Sequence, residues 1–412
     1  MPQTDACADL QALPGSTVFN GLERPHETMV TGIHRHLDCL TQRRAKERWQ
    51  AWDQAPADAC VAASWLEGKR RELGRLLGAV DPRCEARLSC ISDLRPGQPQ
   101  ACYEGVAVYS VRWRVFADYV ALGLLLEPLH PSGTGVVLLP DCDQLPESVL
   151  SGGWGDAPGV FLAKLGCRVL VPCLLSRDDA FSGNPRIRMT NQPHREFVYR
   201  AAFEVGRHVI GMELQQVFAG IDWLVGMGAS RIGVAGYGEG GMLAFYASAL
   251  DTRVSSCCVS GFTMKRETLW QQPIYRNVFA LLNDYGDAEV ACLAGHCHLL
   301  VEASRHPDVT GPPAPREGRQ GAAPGRLATP AFAEVSAEYQ RACLLRQYLV
   351  PTAPPCHLFG TGSGYPWQDD CVREFAAALD LSGALSAPSF TWSGLDLPPD
   401  ASRQEQCVES AV

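Results

Sequence analysis

The segment Arg231 to Leu250, RIGVAGYGEGGMLAFYASAL, constrains the fold more than any other part of this chain. Its apolar start, Ile232 to Ala235, reads as a buried strand. Its Ala- and Leu-rich end reads as a helix. Between them the turn Gly236-Tyr237-Gly238-Glu239-Gly240-Gly241 must redirect the chain within a few residues. Glycines suit such a corner, because strand and helix pass so close that a Cβ would collide. The residue at the apex is Gly238.

The rest of the chain repeats the strand-and-helix theme. Met29, Ile33, Leu37 and Leu40 recur at helical spacing from Glu27 onward, and a second helix is expected from Ala57 to about Gly78. The basic run between them (Arg43, Arg44, Lys46, Arg48) reads as a solvated face. From Ala101 the pattern turns β-like through Tyr103, Val106, Val108 and Val111 to Phe116. Further strands are expected at Ala121–Glu127, Gly135–Leu139, Cys167–Leu174, Val254–Val259, His298–Ala303 and Pro355–Phe359. Helices are expected around Val160–Leu165, from Glu196 to Val225 as one long element, and from Gln368 to Leu379. This alternation predicts an α/β fold: a mostly parallel, doubly wound sheet with helices on both faces. The expected domains are a helical extension (1–100), an α/β domain (101–385) and a loose tail (386–412). The Gly/Pro-rich stretch 307–330 reads as a long irregular loop inside the α/β domain.

Composition narrows the function classes. The net charge of −9 argues against a nucleic-acid partner. No apolar run is long enough to cross a membrane, and the start, MPQTDACADLQALPG, lacks the basic and apolar regions of an export signal. The 17 cysteines are scattered, and several, such as Cys167, Cys173, Cys257 and Cys258, fall in or beside strands. They are expected to be reduced core residues of a cytoplasmic protein.

With its strand and helix, VAGYGEGG resembles the nucleophile elbow, G-x-S-x-G, of the α/β-hydrolase superfamily. The stretch from Gly206-Arg207 to Ile221-Asp222-Trp223-Leu224 and the order of later strands resemble its dienelactone-hydrolase and acetyl-xylan-esterase-like branch. The resemblance covers about 101 to 381. It implies an α/β-hydrolase fold and a serine, histidine and acid acting on an acyl carbonyl. Here the nucleophile position holds Gly238, and the loop after the last strand, Gly360 to Tyr365, contains no histidine. His357 lies inside the strand and reads as a packed residue. The acid candidates are Glu302 and Asp308. The oxyanion region is expected at Gly236, Tyr237, Gly238, Glu239 and Gly240, with Asp141 and Cys142 beside the second donor.

Two other clusters stand out. The polar excursion from Ser176 to Arg207 holds Asp178, Asp179, His194, Arg195 and Arg207 at the strand end where such sheets bind ligands. Either it pins a long loop, or it binds substrate. Cys292, His296, Cys297 and His298 fit no common zinc spacing, so no metal and no cofactor is expected. Three functions are compatible with these features. One is a degenerate hydrolase that keeps a ligand pocket. Another is an active ester or acyl hydrolase using Cys142 or an activated water. The last is a structural partner that meets another protein through its N-terminal helices.

Overall fold

The computed structural model describes residues 14–16, 24–56, 58–91, 98–103, 105–150, 157–182 and 191–381. The expected tail, 386–412, lies outside them. Two helices come first, α1 (Pro25–Asp53) and α2 (Ala59–Leu76). Strands β1 (Leu88–Ile91), β2 (Ala101–Tyr103), β3 (Val106–Phe116), β4 (Tyr119–Pro128) and β5 (Thr134–Leu139) follow. Next come α3 (Pro158–Lys164), β6 (Arg168–Pro172), α4 (His194–Phe203), α5 (Val209–Gly226), β7 (Arg231–Tyr237), α6 (Glu239–Leu250) and β8 (Val254–Ser260). The chain closes with α7 (Leu281–Asp284), α8 (Asp287–Leu293), β9 (His298–Ser304), β10 (Val309–Thr310), β11 (Arg326–Leu327), α9 (Phe332–Leu349), β12 (Cys356–Gly364) and α10 (Asp369–Ala377).

Ten strands form one sheet in the order β1-β3-β4-β6-β5-β7-β8-β9-β12, with β2 paired to β3. From β6 to β12 every pairing is parallel, and β4 runs antiparallel to both its neighbours. Strand residues alternate between two apolar layers, as the period of two requires. Val137, Leu139, Ile232, Val234, Cys257 and Val259 meet α5, α6, α8 and α9. Val136, Leu138, Ala235 and Cys258 face α3 and α10. The protein therefore has the α/β-hydrolase fold, and its strand cysteines fill core volume.

Several elements differ from the sequence-based expectation. The single helix expected over 196–225 is two, α4 and α5. Gly206 takes φ +66° between them, and the His208 ring caps α5 by accepting the Ile210 N–H at 3.1 Å. Helix α9 and strand β1 were not expected at all. The apolar stripe of α1 does not pack: Met29, Ile33 and Leu37 are 61%, 58% and 51% exposed. The helix is anchored by its far end instead, where Trp52 Nε1 donates to the Asp284 carbonyl at 2.9 Å. Arg48, expected in solvent, is buried there. It donates to the Leu282 carbonyl at 2.6 Å and pairs with Glu267 and Glu289. Among the described residues, no helix is long and apolar enough to cross a membrane.

Candidate functional site

The corner between β7 and α6 is a sharp strand-to-helix turn. Gly238 adopts φ +58° and ψ −117°, a region that side chains strongly disfavour. A Cβ on Gly240 would strike the carbonyl oxygens of Leu139 and Pro140, and one on Gly236 would strike Gly240. These contacts make β7, α6 and the end of β5 converge on one point.

A carboxylate occupies that point. Asp141 follows β5, and its Oδ1 accepts the backbone N–H of Glu239 at 2.9 Å. The same carboxylate receives both arms of the Arg177 guanidinium, at 2.6 and 3.1 Å. Arg177 also donates to Asp143 at 2.9 Å, to the Tyr275 hydroxyl at 3.0 Å and to the Glu239 carboxylate at 3.1 Å. Arg276 reaches Glu239 from the other side at 2.8 Å. Arg195 lies 3.7 Å from Glu239 and makes a two-pronged pair with Glu213, both arms at 2.8 Å. All but Asp143 are buried, so acids and guanidiniums alternate through the interior. Burial alone would raise the Glu239 carboxyl, but Arg276, Arg195 and Arg177 outweigh it and hold it down to about 2. Asp141 is lowered too: Arg177 overcomes the opposing effect of burial.

This leaves no room at the apex. A Cβ on Gly238 would overlap the Asp141 carboxylate and come within 2.7 Å of Pro307 Cγ. The Glu239 N–H, the donor expected to face an oxyanion, is already bonded. The Asp141 N–H points elsewhere, to Gln144 Oε1 at 3.0 Å. Cys142 is buried beside them, and burial pushes its thiol well above the ordinary range, so it stays protonated. Among the described residues, Asp141, Cys142 and Asp143 alone cluster as metal ligands do. The Arg177 guanidinium already bridges the two carboxylates of that trio.

The two acid candidates, Glu302 and Asp308, have different surroundings. Glu302, near the end of β9, accepts the Trp367 and Gln368 N–H groups at 2.9 and 2.7 Å and a hydrogen bond from Ser260. It tethers the start of α10 rather than orienting an imidazole. Asp308 is exposed and lines a cavity. His357 is half-exposed, 3.9 Å from Glu374. An imidazole that the sequence did not single out, His306, is buried just before Pro307. Burial, with Arg276 and Arg266 close by, drives its pKa well below the ordinary value.

The excursion after β6 is mostly loop-pinning. His194 Nδ1 meets the Ser176 hydroxyl at 3.0 Å, and its Nε2 accepts the Phe181 N–H at 3.0 Å. Asp178 accepts the Asp179 N–H at 2.6 Å. Arg207 pairs with Asp81 at 2.7 and 2.8 Å. Asp179 turns to the Gly/Pro stretch, which is partly ordered by the β10–β11 ribbon, and binds Arg316 there at 2.9 Å. Asn191 bonds the Pro313 carbonyl and accepts the Ala322 N–H at 3.0 Å, while Glu196 accepts the Ala323 N–H at 3.2 Å. The stretch is thus a strap bonded to the segment that follows β6. Beneath it lies a cavity of about 280 Å³, with Arg177 and Tyr275 among its lining residues.

No protein-family profile and no curated protein matches the sequence. Solved structures do match the fold. A putative acetyl xylan esterase from Bacteroides fragilis superposes with a TM-score of 0.52 at 11% identity, over 81% of this chain and 89% of that one. Acetyl xylan esterase 1 from Thermoanaerobacterium gives 0.45 at 12% identity, over 77% and 94%. An acetyl xylan esterase from Paenibacillus gives 0.44 at 14%, over 80% and 98%. The first of these likenesses shows a shared fold and no more.

Proposed function

We propose that this protein is a degenerate α/β hydrolase: a binding module whose catalytic corner is closed by its own side chains. The reading rests on one observation. Asp141 takes both the Glu239 N–H and the space that a side chain at position 238 would need. Acyl transfer at an elbow requires that N–H for the developing oxyanion and a nucleophile at the apex. Loss of the serine or the histidine alone typically costs about six orders of magnitude in turnover. What remains is the small cavity under the strap, walled by Tyr275, prolines and backbone and carrying Arg177 with the Asp143, Glu196 and Asp308 side chains. Its size suits a small molecule.

The test offers purified protein p-nitrophenyl acetate and a fluorophosphonate probe. Neither turnover nor labelling is expected. Turnover abolished by Cys142→Ala would overturn the proposal in favour of an acyl hydrolase with a displaced nucleophile. The double variant Gly238→Ser with Asp141→Gly removes the plug while supplying a hydroxyl. It too should stay unlabelled, because no imidazole is paired with the apex. Labelling of that variant that depends on His306 would show that a base had been in reach.

A further inference from the structure

The wall of the cavity under the strap is rich in acceptors and poor in donors. Among its lining residues Arg177 alone carries a cation, and all five of its N–H groups are engaged. One donates to the Tyr275 hydroxyl, two to Asp141, one to Asp143 and one to Glu239. Pro193, Pro273, Pro312 and Pro313, also in the wall, have no backbone N–H to offer. The Gly311 and Ala323 N–H groups are already bonded, to the Gly325 carbonyl and to Glu196. Against this stand three carboxylates from separate parts of the chain: Asp143 after β5, Glu196 on α4 and Asp308 after β9. Arg200 meets Glu196, whereas Asp308 is exposed and has no partner among the described residues. Tyr275 is a second, independent pointer. It is 2% exposed, and its oxygen accepts the Arg177 Nε–H at 3.0 Å. Among the described residues its own hydrogen has no acceptor, so a buried O–H in the cavity wall is left for a ligand to satisfy.

We propose that the cavity binds a small amino alcohol, its ammonium toward the carboxylates and its hydroxyl oxygen accepting from Tyr275. The inference rests on the reading of a closed catalytic corner, and it names the ligand that the cavity takes. An anion is disfavoured because the cation in the wall has no donor left to give it. The charge balance points the same way. Arg177, Arg195 and Arg276 face Asp141, Asp143, Glu213 and Glu239, which leaves one negative charge in excess before Asp308 is added. A primary ammonium brings three N–H donors to a wall that lacks them, and charge-assisted bonds to carboxylates are the strong ones. A cavity of about 280 Å³ admits a short chain of this kind.

The test titrates the full-length chain at neutral pH with 4-amino-1-butanol, butylamine and 4-hydroxybutyrate, following ligand signals by NMR. The amino alcohol is expected to bind most tightly, butylamine less so, and the anion not at all. Asp308→Asn should weaken the amino alcohol about fivefold, the upper end for an exposed ion pair. Glu85→Gln, a change at an exposed acid outside the cavity wall, should leave binding unaltered. In Tyr275→Phe the advantage of the amino alcohol over butylamine should vanish. The proposal is overturned if the anion binds as well as the amines, if Asp308→Asn and Glu85→Gln act alike, or if the hydroxyl gives no advantage in the unaltered chain. The same preparation is offered p-nitrophenyl acetate. Turnover there would defeat the closed-corner reading itself, whereas failed amine binding without turnover would defeat only the choice of ligand.

Discussion

Two corners of the sheet each carry a buried carboxylate, and the two are held in opposite ways. At the β7–α6 corner the backbone keeps its strained turn, and a long-range ion network fills the space. At the β9–β12 corner Glu302 stands near the end of β9, and the neighbouring strand β12 runs on to Gly364. There the carboxylate serves as a local tether for α10. The first corner depends on paired charges, the second on hydrogen bonds to backbone. Losing one partner of a buried ion pair strands the other, so the first should be the more fragile.

The largest effect is expected from Arg177→Ala, which leaves Asp141 and Glu239 short of a buried cation. A loss of roughly 3–5 kcal/mol in chemical denaturation is expected, and a loss below 1 would mean that water or Arg276 already carries these charges. Gly238→Ser follows, at about 2–4 kcal/mol, because it combines backbone strain with overlap on Asp141. Adding Asp141→Gly should recover part of that loss, and strict additivity of the two would separate the clash from the carboxylate. Glu302→Ala should cost less, about 1–3 kcal/mol, by leaving the Trp367 and Gln368 N–H groups unbonded.

Mild acid should give the smallest difference and the cleanest sign. Glu239, held to about 2 in the fold against an ordinary 4.5, adds stability that is complete above 4.5 and is lost as pH falls toward 2. Burial raises Glu302 instead, so its charge costs stability at neutral pH and protonation removes that cost. Between pH 4.5 and 3, amide exchange near the β7–α6 corner should therefore quicken before exchange at the start of α10. The reverse order would break the contrast.

Much of the fold was legible because strands covered on both faces leave continuous apolar runs, as in Gly135–Leu139 and Ile232–Ala235. Helix α9 was hidden because its inward face carries Glu338 and Arg346 among Val335, Ala342 and Leu345, which breaks the apolar stripe. The break between α4 and α5 was signalled by Gly206, but apolar residues recur at helical spacing on both sides of it. The site was less legible. The glycine-rich corner identifies itself locally, whereas Asp141, Arg177, Glu239 and Arg276 meet only through tertiary structure. Arg276 and Tyr275, separated from Arg177 by some 98 positions, carry no mark of that role in the sequence.

The strap joins partners far apart in the chain: 137 positions separate Asp179 from Arg316, and 131 separate Asn191 from Ala322. Loop closure on that scale waits until β6 and β9 are already fixed in the sheet. The roof of the cavity is thus expected to close late in folding. Its tip is tied by polar bonds, while Leu327 at its far end is buried, so entry to the cavity is expected to follow local unfolding of the tip with the sheet intact.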